Sequence, residues 1–499
     1  MLIFSAFITG FIALYRSKET NWLFTLPVSH RVIFMWKTIE SAVFSSWGLF
    51  FISAPLIVAF AQQRDSSVGF YLRSLLVFIP FLLVSSSLAA VILLTAVRFA
   101  TKRALLVGLG LLVLGVIGLG LKTVYQEKTK LEGQALGAAQ VFDQVMRHTD
   151  LSAHPLSPST WIAGSVVNWS RPYQGRRAYL YPALLVSHGL IGLMLVAGVG
   201  SAWFFQSWNR SVQSNAVSSA ARSQALRDRE ENRLHRFPRF YAALGKLLTR
   251  PLSAVTRKDV LTFRREPAQW IQFTIVFSLL AIYAAGLRQM NRDLDSPRDV
   301  YVVLYLNLSV CALALSTLTT RFVFPQFSLE GRCLWVLAMS PLRLSRIVIQ
   351  KFALSTVFTG VATMFILLVA GKTLDMTATD TLFFTGAVGL LAMGLNGIAV
   401  GFGVLFPNLE ESNAARIVSG FGGTICLVTS FVFIALHIGL LVGAQYLVFF
   451  KNAEPIPWFS TPQNQAAIAA MVLVTAVATL LPLWFAMRKL RRLELTGHL

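Results

Sequence analysis

The chain has 499 residues, of which 55% are hydrophobic, 12% aromatic and only 13% charged, with a mean hydropathy of +0.63. A soluble core of this length cannot hide so much apolar surface, so the composition excludes a soluble domain and points to an all-α, polytopic membrane protein. The formal net charge of +22 would suggest nucleic acid in a soluble protein, but in a membrane protein the 44 Lys and Arg are read by position, and no nucleic-acid partner is expected.

Taken in order, residues 1–15 are apolar and end at Arg16. At about 1.5 Å per residue they fall short of a hydrocarbon core of about 30 Å, so this span reads as cut off at its outer end. Spans are predicted at 41–61 and 74–97, then at 104–121, where five glycines would allow close helix approach. A polar loop follows over 122–177, in which Pro155, Pro158 and Trp161 suggest short structured pieces at the membrane surface. A fifth span is expected near 179–205.

Residues 206–253 read as a basic cytoplasmic linker between a first half, 1–205, and a second, 254–499. The stretch from 206 to 267 carries 13 Lys or Arg against five acids. Its last part, running on to residue 270, sets Lys258, Asp259, Arg264 and Arg265 among apolar residues, as suits a helix lying along the inner leaflet. Six more spans are predicted near 268–287, 300–320, 352–371, 381–406, 417–450 and 466–487. The fifth of these carries His437 as its only ionisable group until Lys451 and is long enough to bend or re-enter. The total is about 11 spans, five in the first half and six in the second.

One polar segment is written twice. Ser17, Glu19, Leu23, Phe24 and Leu26 are followed by Pro27, then Lys37, Ser41, Val43 and Phe44. Ser328, Glu330, Leu334, Trp335 and Leu337 are followed by Pro341, then Lys351, Ser355, Val357 and Phe358, with Ala338 to Ser340 as an insertion. Such recurrence between hydrophobic spans marks an internally duplicated membrane protein. From Pro341 onward, Arg343, Arg346 and Gln350 fall on one helical face and Leu344, Ile347 and Val348 on another, so a short amphipathic helix leading into a span is predicted, with Pro341 and Pro27 in its first turn. The second copy follows an interfacial helix and two spans, the first a single clipped span, so a parent of two six-span halves is expected, with the first span missing here. Placing the amino terminus outside and the carboxyl terminus inside puts most Lys and Arg, and both repeat copies, in the cytoplasm.

Chemistry-bearing patterns are sparse. Cys311, Cys333 and Cys426 lie far apart, with neither disulfide nor metal-site spacing, and no metal is expected. His188 and His437 have no acidic or Cys neighbour at ligand spacing, which favours packing with a hydrogen bond to a neighbouring helix. Glu40, three residues after Lys37, suggests a local ion pair. Asn307 and Asn396 could bond across helices or line a path. Gly371-Lys372-Thr373 imitates the end of a phosphate-binding loop, but Ile366 stands where its first Gly must be.

The repeated pattern of Ser-x-Glu, an apolar pair, Pro, an amphipathic turn and Lys resembles the permeases of ABC exporters of the second integral-membrane type, in the form that fuses two six-span halves. The run from Phe406 through Asn408, Glu410, Glu411 and Asn413 to Arg416 resembles that family's loop between its fourth and fifth spans, and Lys258-Asp259 with Arg264 and Arg265 resembles its connecting helix. The resemblance implies a permease subunit in the cytoplasmic membrane, exporting an unknown substrate. It would not itself be an enzyme and would bind no cofactor directly, with ATP and Mg handled by two copies of a separate ATP-binding cassette subunit. By the same resemblance, Glu19, Pro27, Lys37, Glu330, Trp335, Pro341, Arg343, Arg346 and Lys351 would form the coupling contact with that subunit. The alternative is a secondary active transporter with duplicated halves, which more usually shows intramembrane acids at the midplane.

Overall fold

A computed structural model describes residues 2–63, 67–99, 157–170, 177–210, 250–265, 297–340, 342–373, 376–411, 413–445 and 461–496, with isolated positions between 273 and 280. Every regular element among the described residues is helical. This is the outcome expected where lipid cannot satisfy backbone polar groups.

The described residues fall into two compact units. Unit 1 contains α1 (Leu2–Phe11), α2 (Lys18–Leu23), α3 (His30–Gln63), α4 (Val68–Phe99), α5 (Pro158–Trp169) and α6 (Arg177–Leu195), the last continuing helically to residue 210. Unit 2 contains α7 (Arg250–Arg265), α8 (Pro297–Leu318), α9 (Leu334–Ala338), α10 (Leu344–Thr373), α11 (Ala378–Leu405), α12 (Ala414–Ser419), α13 (Phe421–Ala444) and α14 (Pro462–Thr496).

Seven of these helices are long and apolar enough to cross a membrane: α4, α6, α8 with its extension to Gly331, α10, α11, α13 and α14. They coincide with expected spans at 74–97, 179–205, 300–320, 352–371, 381–406, 417–450 and 466–487. Residues 2–15 and 41–61 are helical, the former in α1 and the π-helical turn Ile12–Arg16 that follows it and the latter in α3, without belonging to the seven. The expected span at 104–121 lies outside the described residues, and that at 268–287 largely so.

Unit 1 is held by a cluster in which Leu14, Tyr15, Ile33, Phe34, Leu93, Leu94 and Phe204 bring the helical turn after α1, α3, α4 and the end of α6 together. The Tyr15 hydroxyl is satisfied by Ser207 Oγ at 2.8 Å, as a phenol buried in apolar surroundings requires. Pro158 opens α5, where its missing N–H costs nothing, and Trp161 is buried against Val77 and Leu185.

Unit 2 is organised around α11, the most enclosed of the seven spans. Small residues let it approach α14 closely: a Cβ at Gly397 would stand 2.6 Å from Thr479 Cα, and one at Gly401 would collide with Pro482. The bend expected between 417 and 450 sits at its start. Gly420 is extended, with φ −71° and ψ 173°, and separates α12 from α13, which then runs unbroken to Ala444.

The amphipathic helix expected before each span is not a separate element. Arg343 and Arg346 are exposed while Leu344, Ile347 and Val348 are buried, but this pattern belongs to the start of α10 itself, which continues as one helix to Thr373. Gln350, expected on the polar face, is buried because its side chain turns to Asp259. Pro27 lies in a bend three residues before α3 begins, and Pro341 lies outside the described residues.

Candidate functional site: a duplicated lysine latch

Both copies of the repeat fold back on themselves through the same two residues. In unit 1, Lys37 Nζ lies 2.9 Å from Glu19 Oε2; in unit 2, Lys351 Nζ lies 2.8 Å from Glu330 Oε1. Glu19 and Glu330 are equivalent positions in the repeat, as are Lys37 and Lys351. The insertion from Ala338 to Ser340 lengthens the connecting loop without disturbing the closure. Each pair ties the polar segment that precedes the span to the first turns of the long helix after it.

The lysines are the buried partners, with side chains 1% and 6% exposed. An ammonium group so enclosed is stable as a cation only with close acids, and each has two. In unit 1 the second is Glu40 on the same helix, at 2.8 Å, the local pair that the three-residue spacing predicts. In unit 2 the position equivalent to Glu40 is Leu354, and the second acid is Asp259 on α7, whose Oδ1 is 3.4 Å from Lys351. Lys258 joins the same cluster, 2.5 Å from Glu330 and 3.2 Å from Asp259, and Gln350 Nε2 donates to Asp259 Oδ2 at 3.3 Å. Burial alone would lower the Lys258 pKa, but Glu330 and Asp259 outweigh it and hold the value above that of an ordinary lysine.

The loop after α11 closes over the unit 2 latch. Ser328 Oγ accepts from the Asn408 backbone N–H at 3.1 Å, and Asn408 Oδ1 accepts from Glu411 N at 3.2 Å. Arg416 reaches Glu411 at 3.2 Å, and Asn413 caps α12 by accepting from Ala415 N at 3.0 Å. Glu410 is exposed. At Gly331 the backbone takes φ +51° and ψ −133°, which L side chains avoid, and a Cβ there would meet Leu409 O at 3.3 Å. In unit 1 the equivalent residue is Thr20, inside α2, whose hydroxyl donates to Ala13 O at 2.6 Å.

The expected site residues therefore separate. Glu19, Lys37, Glu330 and Lys351 come together within their own units, with Lys258 and Asp259 joining in unit 2, while Arg343, Arg346, Trp335 and Pro27 are exposed. Arg264 and Arg265 lie at the end of α7. Glu40 and Gln350 belong to the clusters, and only Glu40 was legible from spacing.

Among the described residues, then, the regular structure is helical, seven helices are long and apolar enough to cross a membrane, and a polar segment written twice in the sequence closes the same way in each unit. Residues 1–495 of the 499 match a family described as "Putative ATP-binding cassette", and the chain belongs to that family. No curated protein and no solved structure matches it. The match corrects the resemblance to permeases of the second integral-membrane type. A permease-only role served by a separate ATPase, and the expectation that the chain is not itself an enzyme, are both withdrawn. The physical reason lies in the latch: the spacing of Ser, Glu, Pro and Lys records an internal closure, which reports how a segment folds and not which family uses it.

The family description implies a nucleotide, and the run that imitates a phosphate loop does not fit one. Gly371, Lys372 and Thr373 form the last turn of α10, where the helix dipole presents its negative end. A phosphate cradle needs backbone N–H groups turned toward the ligand, and the space beside Gly371 is already filled by the Thr381 side chain, 2.6 Å from where a Cβ would stand.

Proposed function

We propose that this chain is an ATP-dependent transporter of the ATP-binding cassette class that moves a solute outward across the cytoplasmic membrane, with both latches on the cytoplasmic side. The observation that carries this reading is the repeated closure of Glu19 on Lys37 and Glu330 on Lys351 at the foot of a long helix in each unit. A buried ion pair ties two elements with little slack, so a displacement of the polar segment passes into the helix that follows it. Family membership supports ATP, with Mg, as the source of free energy. The excess of Lys and Arg around the latch segments supports the cytoplasmic placement.

The test uses the full chain reconstituted in lipid nanodiscs. Photolabelling by azido-ATP in the presence of Mg and vanadate-sensitive phosphate release are both expected, and phosphate release should fall several-fold in Lys37→Met and in Lys351→Met. A chain that inserts normally but neither labels nor releases phosphate overturns the assignment.

A further inference from the structure

The interior of unit 2 carries polar atoms that the latch does not use. Asn307 on α8, Asn396 on α11 and His437 on α13 are each 0% exposed, as is Ser316 on α8. Among the described residues, Asn307 Nδ2, Ser316 Oγ and Asn396 Oδ1 have no hydrogen-bond partner, and neither ring nitrogen of His437 meets hydrogen-bond geometry, although the Ala387 backbone faces it. A buried polar atom left dry loses its hydration with nothing to replace it, so four such residues in one unit call for a partner that packing alone does not supply.

Helix register places them in two tiers. The Tyr305 hydroxyl donates to Leu441 O at 2.9 Å, and a Cβ on Gly422 would lie 3.2 Å from Phe324 Cζ, so α8 and α13 run antiparallel. Asn307 then lies about 3 Å along the axis from the level of His437, and Ser316 is level with Ser430. Tyr305 packs on Phe384 at 5.4 Å and Phe324 abuts Gly403, so α11 runs parallel to α8 and brings Asn396 to the level of Ser316. The tiers are about 13 Å apart. Between them, Cys311 donates to Asn307 Oδ1 at 3.7 Å, while Phe433 packs on Gly394 and lies 5.7 Å from the His437 ring. In the lower tier Asn396 Nδ2 also donates to Thr359 Oγ1 at 2.9 Å and to Ala392 O at 2.7 Å, so its carboxamide is already oriented and only the oxygen is left over.

We infer that α8 is flanked in unit 2 by two separate hydrated positions on opposite sides of the helix, taking ordered water at the level of Asn307 with His437 and at the level of Ser316 with Asn396. Donors and acceptors occur together with no formal charge required, which is the chemistry of a neutral hydroxyl and not of a metal or an anion. The inference needs only that the helices stand in a membrane, and it does not depend on transport or on ATP.

Hydroxyl-radical footprinting by X-ray radiolysis tests it on the full chain in nanodiscs, because radicals form where water is held. Phe433, 3% exposed, is compared with Phe34, a 0% exposed ring in the apolar cluster of unit 1. Phe433 and Cys311 should be oxidised several-fold faster than Phe34 in the folded chain. In the double variant Asn307→Leu, His437→Phe the Phe433 rate should fall to that of Phe34. Equal rates at Phe433 and Phe34 in the unaltered chain would overturn the site whether or not the double variant folds, and undiminished oxidation in a folded double variant would do the same.

Discussion

Glu330→Gln is the sharpest perturbation of the latch. It removes the charge that Lys351 meets at 2.8 Å and Lys258 at 2.5 Å, leaving Lys351, 6% exposed, with Asp259 at 3.4 Å. Breaking a buried pair from one side costs about 3–5 kcal/mol, because the remaining charge stays desolvated. Asp259 retains part of that attraction, and Lys258, at 39% exposed, is screened by solvent and adds little. The expected loss is therefore about 2–4 kcal/mol. At about 2–4 °C per kcal/mol for a unit of this size, the thermal midpoint should fall by about 4–16 °C. Intrinsic tryptophan fluorescence on heating, in nanodiscs, reads the shift. Adding Lys351→Met should restore at least half of it, since the stranded cation is gone and Lys258 still pairs with Asp259 at 3.2 Å. A single variant within 1 °C of the parent chain, taken as about the resolution of the method, would refute the buried-pair reasoning, as would a double variant whose losses simply add.

Three further outcomes follow from the same neighbourhood. Gly331→Ala must hold a side chain at φ +51° with Leu409 O close by, and should cost about 1–3 kcal/mol, read as a lower midpoint. Ser328→Ala removes the acceptor of the Asn408 N–H, and limited proteolysis around Asn408 to Glu411 should quicken several-fold; an unchanged rate would show that the loop is held by other contacts. The raised pKa of Lys258 means that its pairing stabilises the fold in full below the unfolded lysine value of about 10.4 and is lost as pH climbs through the higher folded value. Lys258→Met should therefore shrink the stability difference between pH 8 and pH 11.5, and an alkaline limb identical in both chains would remove Lys258 from the cluster energetics.

Helical structure and seven of the expected spans were legible in the sequence because membrane burial writes itself in long apolar runs, and the twice-written polar segment because its spacing survives. Glu40 could be paired with Lys37 because three residues on a helix bring side chains to one face. What the sequence hid were contacts made across chain folds. Nothing in a linear pattern says that Glu330 turns back onto Lys351, or that Asp259, far upstream, completes the same cluster. Gln350 was misplaced for the same reason: on period alone it belongs with Arg343 and Arg346, but a partner on α7 draws it inward. Gly331 carries no signal beyond being a glycine, since its need arises from a backbone turn opposite Leu409.

The two latches show which features the fold demands and which it leaves open. Lys37 and Lys351 keep the same carboxylate from the repeat, at 2.9 and 2.8 Å. Yet the second acid comes from the same helix in unit 1 and from α7 in unit 2, where Leu354 stands at the equivalent of Glu40. A second carboxylate beside an enclosed ammonium is thus a requirement of charge burial, met wherever the local chain can supply it. The first carboxylate is different, because its place relative to the lysine is what closes the polar segment onto the span. If the latch served charge balance alone, either acid could have drifted between copies; only the one that sets the geometry has stayed in register.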